Sequence, residues 1–396
     1  MEAQPLAHAS AATPRAWLSR VSLNAFRNHV SATLSLGPAP VVLTGENGAG
    51  KTNVLEAVSL LSHGRGLRGA PFADLCRHDA PDSGWTVSGR LHVGDNETMI
   101  GTGLRPGADE TRATRAVRIN GAPAQPGALA DHVRMVWLTP ALSSLFTGPG
   151  SERRSFLERV IVSLDPSHRR LSAQFQRAMR QRNRLLEMGG SPALLDGLEM
   201  QMAEAGVAIA AARRQALEQL AGVIARKWPE DAGAAFPAAR VSLDGSLENA
   251  LESAAAVDVE DRYARDLADT RERDRAAKRT TLGPHRSDLI VHHAPKDMPA
   301  RLCSTGEQKA LLVGLVLAHA ELVRAVSGAS PVILLDEIAA HLDARRRAAM
   351  FAEIEGLAAQ AWMTGTDRTV FAPLDGKANF FVVDQGAIAP ETERIC

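Results

Sequence analysis

Near the start of the chain, Gly45-Glu46-Asn47-Gly48-Ala49-Gly50-Lys51-Thr52 follows the phosphate-binding pattern G-x-x-x-x-G-K-[ST]. Its surroundings fit the pattern too. The apolar run Val41-Val42-Leu43 reads as a short buried strand arriving at the loop. Val54, Leu55, Ala57, Val58 and Leu61 leave it at helical spacing. Glycines at 45, 48 and 50 let successive backbone N–H groups converge on one anion, and the helix opening at Gly50 adds its positive end. Lys51 is placed to reach the outer phosphates of a nucleotide, and the Thr52 hydroxyl to hold Mg²⁺. A chain with this feature is expected to be an α/β protein built on a strand–loop–helix unit.

The totals narrow the partners. The chain has 396 residues, enough for two domains with large cores. Lys plus Arg and Asp plus Glu both number 45, so a globally cationic nucleic-acid binder is excluded and any DNA contact must come from local patches. Aromatics at 4% argue against a stacking platform for single strands. The cysteines Cys76, Cys303 and Cys396 are far apart and form no C-x-x-C, which disfavours a zinc site or a disulfide framework. Residues 1–16 lack the apolar core of a signal peptide. No uninterrupted apolar run approaches the ~18 residues of a membrane span. The chain reads as cytoplasmic, with no membrane partner.

Taken in order, Trp17 to Phe26 and Val30 to Leu36 alternate as two strands joined at Arg27-Asn28-His29. After the phosphate-loop helix comes a basic, Gly-punctuated loop, His63 to Arg68. Its arginines are either solvated or in contact with nucleotide or DNA. Alternation between Gly84 and Asn120 predicts an antiparallel meander, and Val133 to Leu138 a buried strand. At about residue 150 the pattern turns helical. Phe156, Leu157, Val160, Ile161 and Leu164 share one face; Leu171, Phe175 and Met179 repeat every four residues. The turn Gly189-Gly190-Ser191-Pro192 separates this helix from a second, expected to run from Pro192 to Lys227 over roughly 50 Å. The two predict an antiparallel arm. Its first half carries Arg169, Arg170, Arg177, Arg180, Arg182 and Arg184, a row that is either a solvated face or a phosphate-contacting stripe. A further helix is expected from Asp258 to Lys278.

The C-terminal third supplies a second half-site. Pro331 to Leu335 is a fully apolar strand ending in Asp336 and Glu337. Asp336 can hold Mg²⁺ through water, and Glu337 can polarise an attacking water as general base. Upstream, Ser304-Thr305-Gly306-Glu307-Gln308 opens an apolar helix expected over Ala310 to Leu322. It resembles the signature loop of ABC-type ATPases, usually L-S-G-G-Q. Ser304 and Gly306 match, whereas Cys303, Thr305 and Glu307 depart. A hydroxyl and a glycine at a helix N-terminus suit phosphate binding, although capping alone also explains them.

Taken together, these segments resemble the RecF family of SMC-like ABC ATPases. The resemblance covers nearly everything from Leu18 onward. It rests on Phe26-Arg27-Asn28, Gly45 to Asn53, Gly64-Arg65-Gly66-Leu67-Arg68, Gly148 to Leu157 (P-x-x-R-R-x-F-L) and Gly283 to Leu289 (G-P-H-R-x-D-L). Leu334 to Glu337 with His341-Leu342-Asp343 and Arg345-Arg346 completes it. It implies an ABC-type head assembled from residues 17–150 and 283–396, with a helical arm inserted at 151–282. It further implies nucleotide contacts from Arg27, Asn28, Gly45 to Asn53, Ser304, Gly306 and Asp343, with Lys51 and Glu337 catalytic and Mg²⁺ on Thr52 and Asp336. ATP is then the glue of a homodimer in which each signature loop closes on the nucleotide of the other copy. The family's work would be at gapped duplex DNA in replication, repair and the SOS response, with RecO and RecR helping to load RecA.

Two departures mark this chain. Ala141-Leu142 stands where the family carries acidic residues after Thr139-Pro140. Met363-Thr364-Gly365-Thr366-Asp367 stands where ABC transporters place a switch histidine, so Thr366 is left to meet the γ-phosphate or hydrolysis is expected to be slow. The alternatives are an SMC-like ATPase of another chromosome-related role and, less well supported, a transporter ATPase subunit. The long, basic helical insertion and the missing histidine count against the second.

Overall fold

The computed structural model describes residues 14–105, 115–230, 234–339 and 342–391. His341 and most of the N-terminal leader lie outside them. The chain divides into two compact units. One comprises Met1–Val136, Val323–Leu335 and Phe351–Cys396; the other comprises Trp137–Leu322 and Asp336–Met350.

In the first unit, β1 (Ala16–Phe26) and β2 (His29–Ser35) pair antiparallel, with Phe26 opposite His29. That register leaves Arg27-Asn28 as a two-residue turn. Leu18, Val21, Leu23 and Phe26 of β1 are buried and alternate with wetter positions, as a strand covered on one face requires. The expected meander is present. β4 (Trp85–Val93), β5 (Asn96–Leu104), β6 (Ala116–Ile119) and β7 (Ala122–Ala124) extend the sheet in the order β2-β1-β4-β5-β6-β7.

The second sheet is organised differently. Strands β3 (Val41–Thr44), β12 (Val332–Leu335) and β13 (Ala361–Gly365) are buried at every position, as parallel strands covered on both faces must be. They lie in the order β15-β14-β3-β13-β12-β8, where β8 is Met135–Leu138, β14 Asn379–Asp384 and β15 Ala387–Pro390. Helix α1 (Lys51–Ser59) follows β3, and the short α2 (Leu129–His132) precedes β8.

The second unit is mostly helical. It contains α3 (Gly150–Leu164), α4 (His168–Met188) and α5 (Pro192–Lys227), then β9 (Ala239–Asp244) and α6 (Ser246–Ala250). The observed α5 coincides with the predicted span. The expected helix from Asp258 to Lys278 is instead two, α7 (Ala256–Asp269) and α8 (Arg271–Ala277). Thr270 makes the break: its hydroxyl donates to the Leu267 carbonyl and lies 3.3 Å from Asp274 Oδ2. β10 (Asp288–His293) pairs with β9 and β11 (Met298–Pro299) in a small antiparallel sheet. Helix α9 (Thr305–Ser327) exceeds its predicted length at both ends, and α10 (Ala344–Gly356) follows the acidic strand. By length and composition α9 could cross a membrane, but 72% of its apolar window is buried in the protein, as in a core helix.

The arm is packed and pinned. Phe175, Ala178, Met202, Ala210, Tyr263 and Leu267 form its core from α4, α5 and α7. Gly206 lets α5 come close to α7, since a methyl group there would sit 3.0 Å from the Tyr263 ring. Arg182, placed with the basic row by sequence, is fully buried on this inner face and is no surface contact. Its guanidinium donates to Glu199 (2.9 Å), Asp274 (2.7 Å), Thr280 (3.0 Å) and the Leu267 carbonyl (2.6 Å). Removing one partner of such a group leaves the others charged and dry. Arg182→Leu is therefore expected to cost about 3–5 kcal/mol in urea denaturation, whereas Arg180→Ala on the exposed face should stay within about 0.5 kcal/mol.

Candidate functional site

The phosphate loop is shaped by contacts from behind. The Ala49 carbonyl accepts both from Asn28 Nδ2 (2.9 Å) and from the Gly386 N–H (3.0 Å), so both its lone pairs are used. Asn28 Oδ1 in turn accepts from Asn53 Nδ2 at 2.7 Å. His29 is fully buried, its ring nitrogens 2.7 Å from the Gly386 carbonyl and 3.1 Å from the Gly50 carbonyl. The hairpin turn and the β14–β15 turn thus grip the loop together.

Beneath them lies Glu56, fully buried in α1. Arg27 donates to both its oxygens at 2.9 and 3.0 Å, and Arg68 adds a 3.1 Å ion pair. Arg27 also donates to the Asp74 carbonyl, and Arg68 to Asn53 Oδ1. Arg68 of the basic loop is therefore a support of the nucleotide helix, and Arg27 holds Glu56 where sequence expected a nucleotide contact. Sequence reasoning passed over Glu56 and His29. The signal for Glu56 was a lone acid amid Val54, Leu55, Ala57 and Val58.

The loop itself is suited to a polyphosphate. Helix α1 starts at Gly50 with no side-chain cap and no acid in its first turn, so its N–H dipoles are unopposed. Glu46, Asn47 and Gly48 are exposed, while Ala49 and Gly50 are buried. Lys51 is only 3% exposed and folds back to donate to the Gly45 and Glu46 carbonyls, both at 2.8 Å. A cation, a hydroxyl at Thr52 and open backbone at Gly48 form a donor set matched to nucleotide phosphates and a hard divalent ion.

β3, β13 and β12 are parallel neighbours, so Gly45 and Thr366 follow carboxyl ends on the side of the sheet where β12 ends at Leu335. Asp336 is 5% exposed. The observed strand stops at Leu335, two residues short of the predicted block, because Glu337 takes a left-handed backbone with φ 56°. That conformation costs a non-glycine residue about 1–3 kcal/mol and is typical of functional turns.

In the second unit the signature loop is exposed. Ser304 caps α9. Its N–H and hydroxyl both lie 2.9 Å from Glu307 Oε2, and its Oγ faces the Glu307 N–H at 3.4 Å, a capping box. Ion pairing with Lys296, then the Ser304 donors, pull the Glu307 carboxyl down to about 2. Glu307, a departure from the transporter consensus, is thus the residue that orients Ser304. Asp343 accepts from the Arg346 N–H at 2.9 Å, and Arg346 reaches the Gly306 carbonyl at 3.4 Å. Ser304, Gly306 and Asp343 therefore lie on one connected, solvent-facing surface, with Arg346 as the link.

Two of the sequence's other motifs meet as well. Arg153 forms a two-pronged pair with Asp288 at 2.8 and 2.7 Å and also donates to the Leu145 and Gly148 carbonyls. The segments around 150 and 285 are a clasp between α3 and β10.

A family model described as the RecF/RecN/SMC N terminal domain matches residues 17–388. The DNA replication and repair protein RecF of Mesorhizobium japonicum is 52% identical over 375 residues, 94% of this chain and 97% of the relative. The chain belongs to the RecF family. RecF of Rhizobium etli is likewise 52% identical, over 94% of this chain and 98% of its own length. Among solved structures, one described as the recombination mediator protein RecF-ATP in the RecFOR pathway matches with a TM-score of 0.84 and 23% identity, covering 97% of this chain and all of that one. The Smc head domain of Pyrococcus furiosus matches at 0.52 and 15% identity, covering 95% of this chain and 96% of that one. The likeness is one of fold: an α/β, SMC-like ABC ATPase head with an inserted helical arm.

In this RecF-family loop the three glycines are needed for different reasons. At Gly45 a Cβ would strike the Val383 carbonyl, which is backbone. At Gly50 it would lie 2.6 Å from Asn28 Nδ2 and 2.9 Å from His29 Nε2. At Gly48 nothing lies within 4 Å, and only φ 83° resists substitution. Gly45→Ala should therefore lower Tm most. Gly50→Ala should weaken ATP binding at least tenfold by displacing Asn28 and His29. Gly48→Ala should cost only about 1–2 kcal/mol of strain. Thermal melts and ATP titration of the three variants check the order.

Proposed function

We propose that the chain is an ATP-dependent DNA-binding recombination mediator that dimerises on ATP at gapped duplex DNA and lets go on hydrolysis. The observation carrying this reading is that a cradle and an exposed lid are present on the same chain: the uncapped loop around Lys51 and the surface of Ser304, Gly306 and Asp343. The 52% identical relatives are RecF proteins of DNA replication and repair, which supports the same assignment. The working division is a head of residues 17–150 and 283–396 and an arm of 151–282, in a cytoplasmic protein. RecO, RecR and RecA are the expected partners.

Within the head, Gly45 to Asn53 would wrap the phosphates, with Arg27 and Asn28 fixing the loop. Lys51 offsets charge on the outer phosphate oxygens. Thr52 and Asp336 would hold Mg²⁺, which when bound neutralises phosphate charge. Glu337 polarises the attacking water. Thr366, exposed at the end of the strand between β3 and β12, stands where a switch histidine would, and the lack of an imidazole there fits slow turnover.

The dimer is tested by sedimentation with ATP. Glu337→Gln should persist as a dimer and Lys51→Ala should stay monomeric. Ser304→Arg should still bind ATP yet stay monomeric, because its fault lies in the lid. Wild-type dimerisation by Ser304→Arg would remove the lid from the account. Binding to gapped against blunt duplex, with and without ATP, tests the DNA partner.

A further inference from the structure

The arm offers a surface that the nucleotide chemistry does not use. Helix α4 carries six arginines and one acid, Glu187, in a chain whose charges balance overall. The structure sorts these arginines. Arg182 is buried among Glu199 and Asp274, and Arg169 is half-buried. Arg170, Arg177, Arg180 and Arg184 are exposed, and among the described residues none of their guanidinium groups meets a carboxylate or other hydrogen-bond partner.

At 100° per residue these four fall within an arc of about 80°, shared with Ala173 and Met188; Gln181 borders it on one side and Glu187 on the other, each about 20° outside. Arg170, Arg177 and Arg184 are about 10.5 Å apart in succession, so the stripe runs about 21 Å along the helix. The exposed side of α7 is different. Asp261, Arg262, Arg265 and Asp266 mix both signs, as a merely solvated face does.

Resting on the proposed DNA-binding function, we propose that the outer face of α4 is a docking surface for the phosphate backbone of duplex DNA, held by Arg170, Arg177, Arg180 and Arg184. Charge complementarity favours this occupant, since a duplex carries one negative charge per ~1.7 Å of axis over the whole length of the stripe. A duplex is favoured over a single strand because the stripe carries no aromatic ring on which a base could stack; Phe175 is turned into the arm core. Glutamine at 181 adds a neutral donor for phosphate or sugar oxygens.

The test is fluorescence anisotropy of the full chain with ATP on a blunt 30-bp duplex across a salt series. The variants are each single Arg→Gln change, the quadruple R170Q/R177Q/R180Q/R184Q, and R262Q on α7 as control. Each single change should lower the slope of log K against log salt by about 0.9, and the quadruple by about 3.6. The loss should be the same for duplexes of different sequence, with R262Q unchanged. ATP affinity and Tm of the quadruple should match wild type, since all four side chains are exposed. A quadruple variant with the wild-type slope overturns the proposal, leaves DNA binding by the chain intact and points the stripe to an acidic protein partner. A loss confined to single-stranded probes overturns it too. Wild-type chain that binds no duplex at all defeats the underlying DNA reading, and the proposal with it.

Discussion

A phosphate loop has to keep several backbone N–H groups pointed outward and unanswered, so its own contacts, Lys51 to the Gly45 and Glu46 carbonyls among them, need supplementing. The support must come from behind. In this chain it comes from the doubly bonded Ala49 carbonyl, and from Glu56 buried beneath it. A carboxylate with no exposure is costly unless it is fully paired, and here Arg27 and Arg68 both pair with it. The β1–β2 hairpin, the basic loop and the β14–β15 turn are thereby fixed to one another through the loop they serve. This is why residues 27 to 29 and 386, far apart in sequence, belong to the same site as Lys51.

What was legible in the sequence was short in range. The strand–loop–helix at 41–61 and the α4–α5 hairpin follow from periodicity and turn chemistry within a few residues, so their limits came out close to the structure. The long-range pairings left no such trace. Arg153 and Asp288 each sat in a recognisable motif, but nothing local says that they pair across 135 positions. His29 read as a turn residue because its partners are carbonyls, which carry no sequence signature. Arg182 was misplaced for another reason. Its position, one turn from Ala178 and Leu186, puts it on the apolar face, and the charge of the side chain masked that geometry. The break at Thr270 was hidden because charge pattern continues across it while the backbone does not.

The signature loop shows how a departure from consensus can be structural. Glu307 sits at the third position of α9 and closes a capping box on Ser304, so the serine is oriented before any partner arrives. Arg346 ties the start of α10 to the Gly306 carbonyl. Asp343 and the Gly306 carbonyl thus share one arginine, which couples the two positions. Pre-oriented donors lose less entropy when they meet a ligand.

Glu337 brings the two themes together. Its left-handed backbone turns the chain directly after the buried strand, so the carboxylate is set by a strained turn and not by the extended geometry the apolar run suggested. Strain of this kind survives only where neighbours over-determine it, and here β12 is buried at every residue while the Asp336 N–H bonds to the Leu138 carbonyl at 2.9 Å.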